Sequence, residues 1–181
     1  MRNKASDVAA HSFGPTDRLF FDTNVWLLLY APQPPHASGR VRAYSAAFKA
    51  VLAAGSTVLI DVLVISEFIN RSARLHYELA GRPGDFKTFR NSGFFAGVAV
   101  DIAADMGAIL GSAKPLDGDL NCADLPTLLT AFAAGGLDFN DQILTGICQR
   151  HGLAMVTDDG DFTEGGLQVL TANRRLLTAC P

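Results

Sequence analysis

Cysteine and histidine are scarce and poorly spaced for chemistry. The three cysteines, Cys122, Cys148 and Cys180, are odd in number and far apart, so they form neither a disulfide framework nor a CxxC metal clip. Small buried hydrophobes are the role that fits them. The four histidines, His11, His36, His76 and His151, show no HExxH or paired-ligand spacing, which argues against a zinc enzyme and leaves oxygen as the donor for any metal. There is no P-loop and no GxGxxG, so nucleotide-cofactor binding has no support, and Ser66 lacks the GxSxG elbow of a serine hydrolase. Residues 1–17 carry charges and a proline but no apolar run of the secretory kind, so a cytoplasmic location is expected. The most membrane-like stretch, 93–113, carries Asp101 and Asp105 mid-segment. An uncompensated carboxylate at bilayer depth is costly, so this stretch reads as a buried helix and no membrane is expected as a partner.

What is present is the composition of one compact domain: 181 residues, 49% hydrophobic and 18% charged. Residues 1–17 read as an N-terminal extension and 18–181 as a single domain. The net charge of −3 conceals an asymmetry. Residues 40–90 hold eight Lys/Arg against four Asp/Glu, whereas residues 115–170 hold one Arg against nine acids. Two solvated surfaces of opposite sign would account for this; so would a metal-holding half beside one that grips phosphates.

Periodicity and turn chemistry give the element order. Residues 18–22 read as a buried strand running directly into a helix over 23–31. Residues 32–38, with three prolines, form a loop, because proline supplies no backbone donor and disfavours helix before it. A helix over 39–54 closes at Gly55, a strand covers 57–60, and a long helix covers 62–79 before Gly81 and Pro83 stop it. A short helix or loop at 85–91 precedes the apolar helix 93–113 and a polar surface segment at 114–122. Helices follow at 123–134 and 140–151, strands at 153–157 and 168–170, and a terminal helix at 173–179. Strands alternating with helices predict an α/β fold, a three-layer sandwich with a central, mostly parallel sheet whose ligands collect at the carboxyl ends of its strands.

Four acidic segments fall at such positions: Asp22-Thr23-Asn24, Ser66-Glu67, Asp138 to Asp141, and Thr157-Asp158-Asp159-Gly160-Asp161-Phe162. Each acid has a structural role that would suffice on its own. Asp22 and Asp138 suit helix N-caps, Glu67 precedes Arg71 at the favoured i,i+4 spacing, and turn propensity explains part of the 158–161 run. Gathered in one partly dry cleft, however, like charges repel and raise one another's pKa values unless a cation neutralises them, so their grouping points to bound metal. With oxygen donors only, Mg²⁺ or Mn²⁺ is the fitting ion.

Over residues 18–170, the order and intervals of these four segments resemble the PIN-domain ribonucleases, including VapC-type toxins. The resemblance implies a PIN-like fold and matches Asp22, Glu67, Asp141 and Asp159 to the family's catalytic and metal-holding acids. It adds Asp138 and Asp161 as accessory acids and Asn24 as a polar organiser, with Asp158 adjoining Asp159 as the other candidate to face inward. It also implies an RNA substrate, a homodimer and an antitoxin protein as partner. The chain is longer than the compact toxins, with additions at 1–17, in the proline-rich loop and around 114–134. The function expected is Mg²⁺- or Mn²⁺-dependent hydrolysis of RNA phosphodiesters, with Arg71 and Arg74, one and two turns beyond Glu67, as candidate phosphate contacts. Two alternatives stand beside it. One is a phosphatase with Asp22 as nucleophile, although such sites need a second Asp where this chain has Asn24. The other is a non-catalytic PIN-like module that docks a protein on the 93–113 helix.

Overall fold

The computed structural model describes residues 1–116, 125–133 and 138–181. Six strands, β1 (Lys4–Asp7), β2 (Arg18–Phe21), β3 (Thr57–Ile60), β4 (Lys114–Pro115), β5 (Ala154–Val156) and β6 (Gln168–Thr171), form one sheet in the order β1-β6-β5-β2-β3-β4. Every pairing is parallel. Parallel neighbours need crossover connections: α1 (Thr23–Tyr30) and α2 (Ser38–Ala54) lie between β2 and β3, α3 (Val62–Leu79), α4 (Phe86–Arg90) and α5 (Gly93–Ser112) between β3 and β4, and α6 (Leu125–Ala133) and α7 (Phe139–His151) between β4 and β5, while α8 (Arg174–Ala179) follows β6. The molecule is thus an α/β three-layer sandwich, its sheet flanked by helices.

The central strands are apolar on both faces because helices cover both sides of a parallel sheet. Leu19, Phe20 and Phe21 of β2, Val58 to Ile60 of β3, and Met155 and Val156 of β5 are all buried. Around them, Phe21, Trp26 and Phe48 meet in tilted and edge-to-face pairs with ring centroids 5.1–5.6 Å apart, which docks α1 and α2 together. Gly55 ends α2 in the left-handed conformation (φ 70°) and turns the chain into β3. β4, a two-residue edge strand of Lys and Pro, offers little to pair with further.

The expected elements over the described residues all form, with ends shifted by one or two residues, and 35–37 of the proline-rich loop closes into a single 3₁₀ turn. Three expectations change. The 93–113 helix is not buried all round: Val98, Ile102, Met106 and Ile109 face inward, while Phe94, Val100 and Leu110 are exposed. Its length and mean hydropathy of 1.6 would allow it to cross a membrane, and it packs on α3 through one face. The polar 114–122 segment begins as β4, and its remainder from 117 lies outside the described residues, as does Cys122. Cys148 and Cys180 are buried free thiols, as expected.

The third change concerns residues 1–17, which do not hang off the domain. β1 pairs with β6 from Lys4↔Gln168 to Asp7↔Thr171 and forms the sheet's other edge. Asn3 fastens it. This residue is 3% exposed; its amide donates to Phe162 O (2.9 Å) and its carbonyl accepts from Leu167 N (2.8 Å). The sequence hid this because a four-residue KASD strand has no hydrophobic alternation. Asn3→Ala would strand two buried backbone groups, so urea unfolding of the variant is expected to show a loss on the order of 2–4 kcal/mol. A change under about 0.5 kcal/mol, the usual scale for a surface substitution, would mean that the N-terminal strand is dispensable.

Candidate active site

β2 and β5 lie side by side where the chain order reverses, with β2, β3 and β4 on one side and β5, β6 and β1 on the other. Such a switch point opens a crevice at the carboxyl ends of the strands. Asp22 stands at the end of β2 and Thr157 at the end of β5, and they meet: the Thr157 hydroxyl donates to Asp22 Oδ2 at 2.7 Å. The same hydroxyl accepts from Asn24 Nδ2 (3.1 Å) and from the amide of Asp159 (3.0 Å), so its donor and both lone pairs are in use. Asn24 also donates to Asp22 Oδ2, and its carbonyl accepts from the Asp158 amide at 2.9 Å, an acceptor role that fixes which way the Asn24 amide points. Asp22 Oδ1 accepts from Thr23 N and so caps α1.

Glu67 reaches the same place from α3. Its Oε2 accepts from the Thr23 hydroxyl at 3.0 Å and its Oε1 from Arg71 at 3.2 Å. Asp138 caps α7 through Asn140 N, which puts Asp141 in the helix's first turn, within electrostatic reach of Asp22, Asp159 and Glu67. Asp159 follows Thr157 and accepts from the Asp161 amide.

The electrostatics tie these acids into one group. Burial, first of all, raises Asp22 to about 6 from an ordinary 3.8; the bonds from Thr157 and Thr23 pull it down, and the charges of Glu67 and Asp159 push it up further. Asp141 is raised to about 7, again by burial first and then by Asp22, Asp159, Asp138 and Glu67. Four carboxylates from four separate elements therefore feel one another.

Of the accessory candidates, Asp138 is a cap that adds charge beside Asp141, and Asn24 organises the Asp22 network. Asp161 is exposed and paired with Arg175 at 2.9 Å. Asp158 is buried, but its carboxylate is bound by Arg40 at 2.7 Å and by the Tyr44 hydroxyl at 3.0 Å, both from α2. It is Asp159 that adds charge to Asp22 and Asp141. Arg71 is engaged with Glu67, and the Arg74 guanidinium lies 4.5 Å from the centre of the Phe86 ring.

Sequence reading passed over Tyr44 and Arg40. Tyr44 accepts from Ala172 N (2.9 Å) and reaches Thr157 O (2.9 Å), and burial pushes its phenol up. Their i,i+4 spacing was the available signal, since a tyrosine on a buried stripe needs a partner for its hydroxyl.

No family model matches this sequence, and comparison with curated proteins gives no match.

Among the described residues, no three Asp, Glu, His or Cys side chains form a ready-made chelate. The donor set nevertheless suits a hard, hydrated cation. Asp22 has three of about four acceptor positions filled and keeps one on Oδ1, and both its oxygens face donors, so the network accommodates the ionised form. A magnesium-like ion retains several waters and takes only one or two carboxylates directly.

Without a cation, folding must take up protons on Asp22 and Asp141 between about pH 4 and 7, since both hold protons to higher pH than in the unfolded chain. The stability these carboxyls contribute is present below pH 4 and lost as pH climbs through about 6 and then 7. Thermal unfolding of chelator-treated protein is expected to show a stability loss from pH 5 to 8 on the order of 1–2 kcal/mol from Asp22, with Asp141 adding in the same direction. Saturating Mn²⁺ should flatten the profile. Stability that instead rises over this range, identically with and without Mn²⁺, would show that these acids are not electrostatically strained.

Proposed function

We propose that the chain is a PIN-domain ribonuclease that hydrolyses RNA phosphodiesters with Mg²⁺ or Mn²⁺. The observation that carries this reading is the meeting of Asp22, Glu67, Asp141 and Asp159 at the switch point of a parallel sheet, each within electrostatic reach of others, with Glu67 alone of the four in a salt bridge among the described residues. Asp22 and Asp141 would hold the ion, and Glu67 and Asp159 would complete or share its shell. A divalent ion there supplies countercharge and acidifies water bound to it for attack on phosphorus.

The remaining work belongs to the protein. Thr157 and Asn24 fix the Asp22 carboxylate, and Thr23 fixes Glu67. Capping by Asp138 sets the first turn of α7 and with it the position of Asp141. Asp141 and Asp159 are only partly buried, so the cleft is open to a polymer from that side. By the same resemblance, the protein is a cytoplasmic toxin of a toxin–antitoxin pair that forms a homodimer and meets an antitoxin protein.

The phosphatase alternative fits less well, because such sites need a second acid where this chain has Asn24, whose side chain is spent on Asp22, Thr157 and the Asp158 amide. One feature favours a docking role alongside or instead of catalysis: a groove of about 470 Å³ between α3 and α5, lined by Ile69, Phe95, Ile102, Met106 and Leu110. Metal dependence separates the two. Purified protein is expected to cleave RNA only with Mn²⁺ or Mg²⁺, and Asp141→Asn to lower the rate by at least roughly 100-fold while remaining folded. Full activity in that variant, or equal cleavage in the presence of chelator, would be incompatible with this function.

A further inference from the structure

Resting on the proposed function, the geometry points to a second role for Arg71: it is an exchangeable counter-ion that occupies Glu67 in the resting protein and passes to a substrate phosphate when a divalent cation takes Glu67. Among the described residues, Arg71 alone forms a salt bridge with a member of the acidic quartet. Both Glu67 oxygens are engaged in the resting protein, Oε1 by Arg71 Nη1 at 3.2 Å and Oε2 by Thr23 Oγ1 at 3.0 Å. Two further arginines are bound to acids that adjoin Asp159 but lie outside the quartet, Arg40 to Asp158 at 2.7 Å and Arg175 to Asp161 at 2.9 Å.

The Arg71 contact is the longest of the three and its side chain is 53% exposed, so solvent screens the pair and little is lost when it opens. Arg71 lies one turn beyond Glu67 on α3 with its side chain about half exposed, so rotation about its own bonds would swing the guanidinium from the carboxylate toward a phosphate bound beside it. The planar fork of arginine matches phosphate oxygens better than a single carboxylate oxygen held at one nitrogen.

Two consequences follow from this competition. Arg71 weakens cation binding in the absence of RNA, because the cation must displace it. RNA and cation then bind with positive coupling, since each removes Arg71 from Glu67 or benefits from its removal, and that coupling is reciprocal. Arg71 is in this way a gate that keeps an empty site neutralised in part and favours a cation when substrate is present.

The test is isothermal titration of Mn²⁺ into wild-type and Arg71→Gln protein without RNA, repeated with a short, non-cleavable single-stranded oligonucleotide. Removing the competitor is expected to tighten Mn²⁺ binding about two- to fivefold without RNA, the range set by a solvent-exposed pair. The oligonucleotide should tighten Mn²⁺ binding to wild type but not to Arg71→Gln, and the salt slope of oligonucleotide binding should fall by about one in the variant. Arg71→Lys, which keeps the charge but loses the fork, should retain the competition with Mn²⁺ and lose most of the coupling. Mn²⁺ binding that is unchanged or weaker in Arg71→Gln overturns this role alone. Wild-type protein that binds no Mn²⁺ overturns the site itself, and this role with it.

Discussion

The hydrogen bond from Thr157 to Asp22 is the interaction on which the rest of the candidate site depends. It joins the ends of two adjacent parallel strands that are far apart in sequence, and the donor it uses is the last one Thr157 has. Around it, Asn24 bonds to Asp22 and to the Asp158 amide, while Asp159 leans on the same hydroxyl. A carboxylate that is almost fully buried would otherwise protonate or turn out to solvent. Here three donors hold it in place as an acceptor, and its burial is what makes the other acids matter.

From that fixed charge the electrostatics spread outward. Asp141, Glu67 and Asp159 arrive from a helix start, a helix interior and a loop; Glu67 and Asp159 raise both Asp22 and Asp141, and Asp22 raises Asp141. The surrounding arginines do not cancel this: Arg40 and Arg175 are spent on Asp158 and Asp161, outside the quartet. Among the described residues only Glu67 of the four is paired with an arginine, and under the proposed function a cation from solution would supply the countercharge that the other three lack. The Tyr44 and Arg40 pair serves a different end, because by holding Asp158 on the α2 side they leave its neighbour Asp159 to face the cleft.

Much of this was legible in the sequence because the decisive signals are local. Apolar runs such as Leu19-Phe20-Phe21, the Gly55 stop and the amphipathic α3 gave the parallel architecture, and strand-end placement brought Asp22 and Thr157 to one edge. Two kinds of feature were not legible. β1 carries no hydrophobic pattern and owes its place to backbone pairing and to Asn3, contacts that close a loop of about the whole chain. The choice between Asp158 and Asp159 is a matter of side-chain direction one residue apart, decided by partners on α2 more than 110 positions away. The half-exposed state of α5 was missed for a related reason: small residues such as Ala and Gly fill its outer face, so composition alone resembles a core helix.

The central claim is that these four carboxylates hold a divalent ion in common. Anomalous diffraction from Mn²⁺-soaked crystals tests it most directly. The account predicts a peak at the carboxyl ends of β2 and β5, within about 2.0–2.6 Å of at least one oxygen of Asp22 or Asp141 and with Glu67 and Asp159 around it. A well-ordered, fully soaked crystal whose Mn²⁺ peaks all lie elsewhere, with the quartet unmoved, would contradict it.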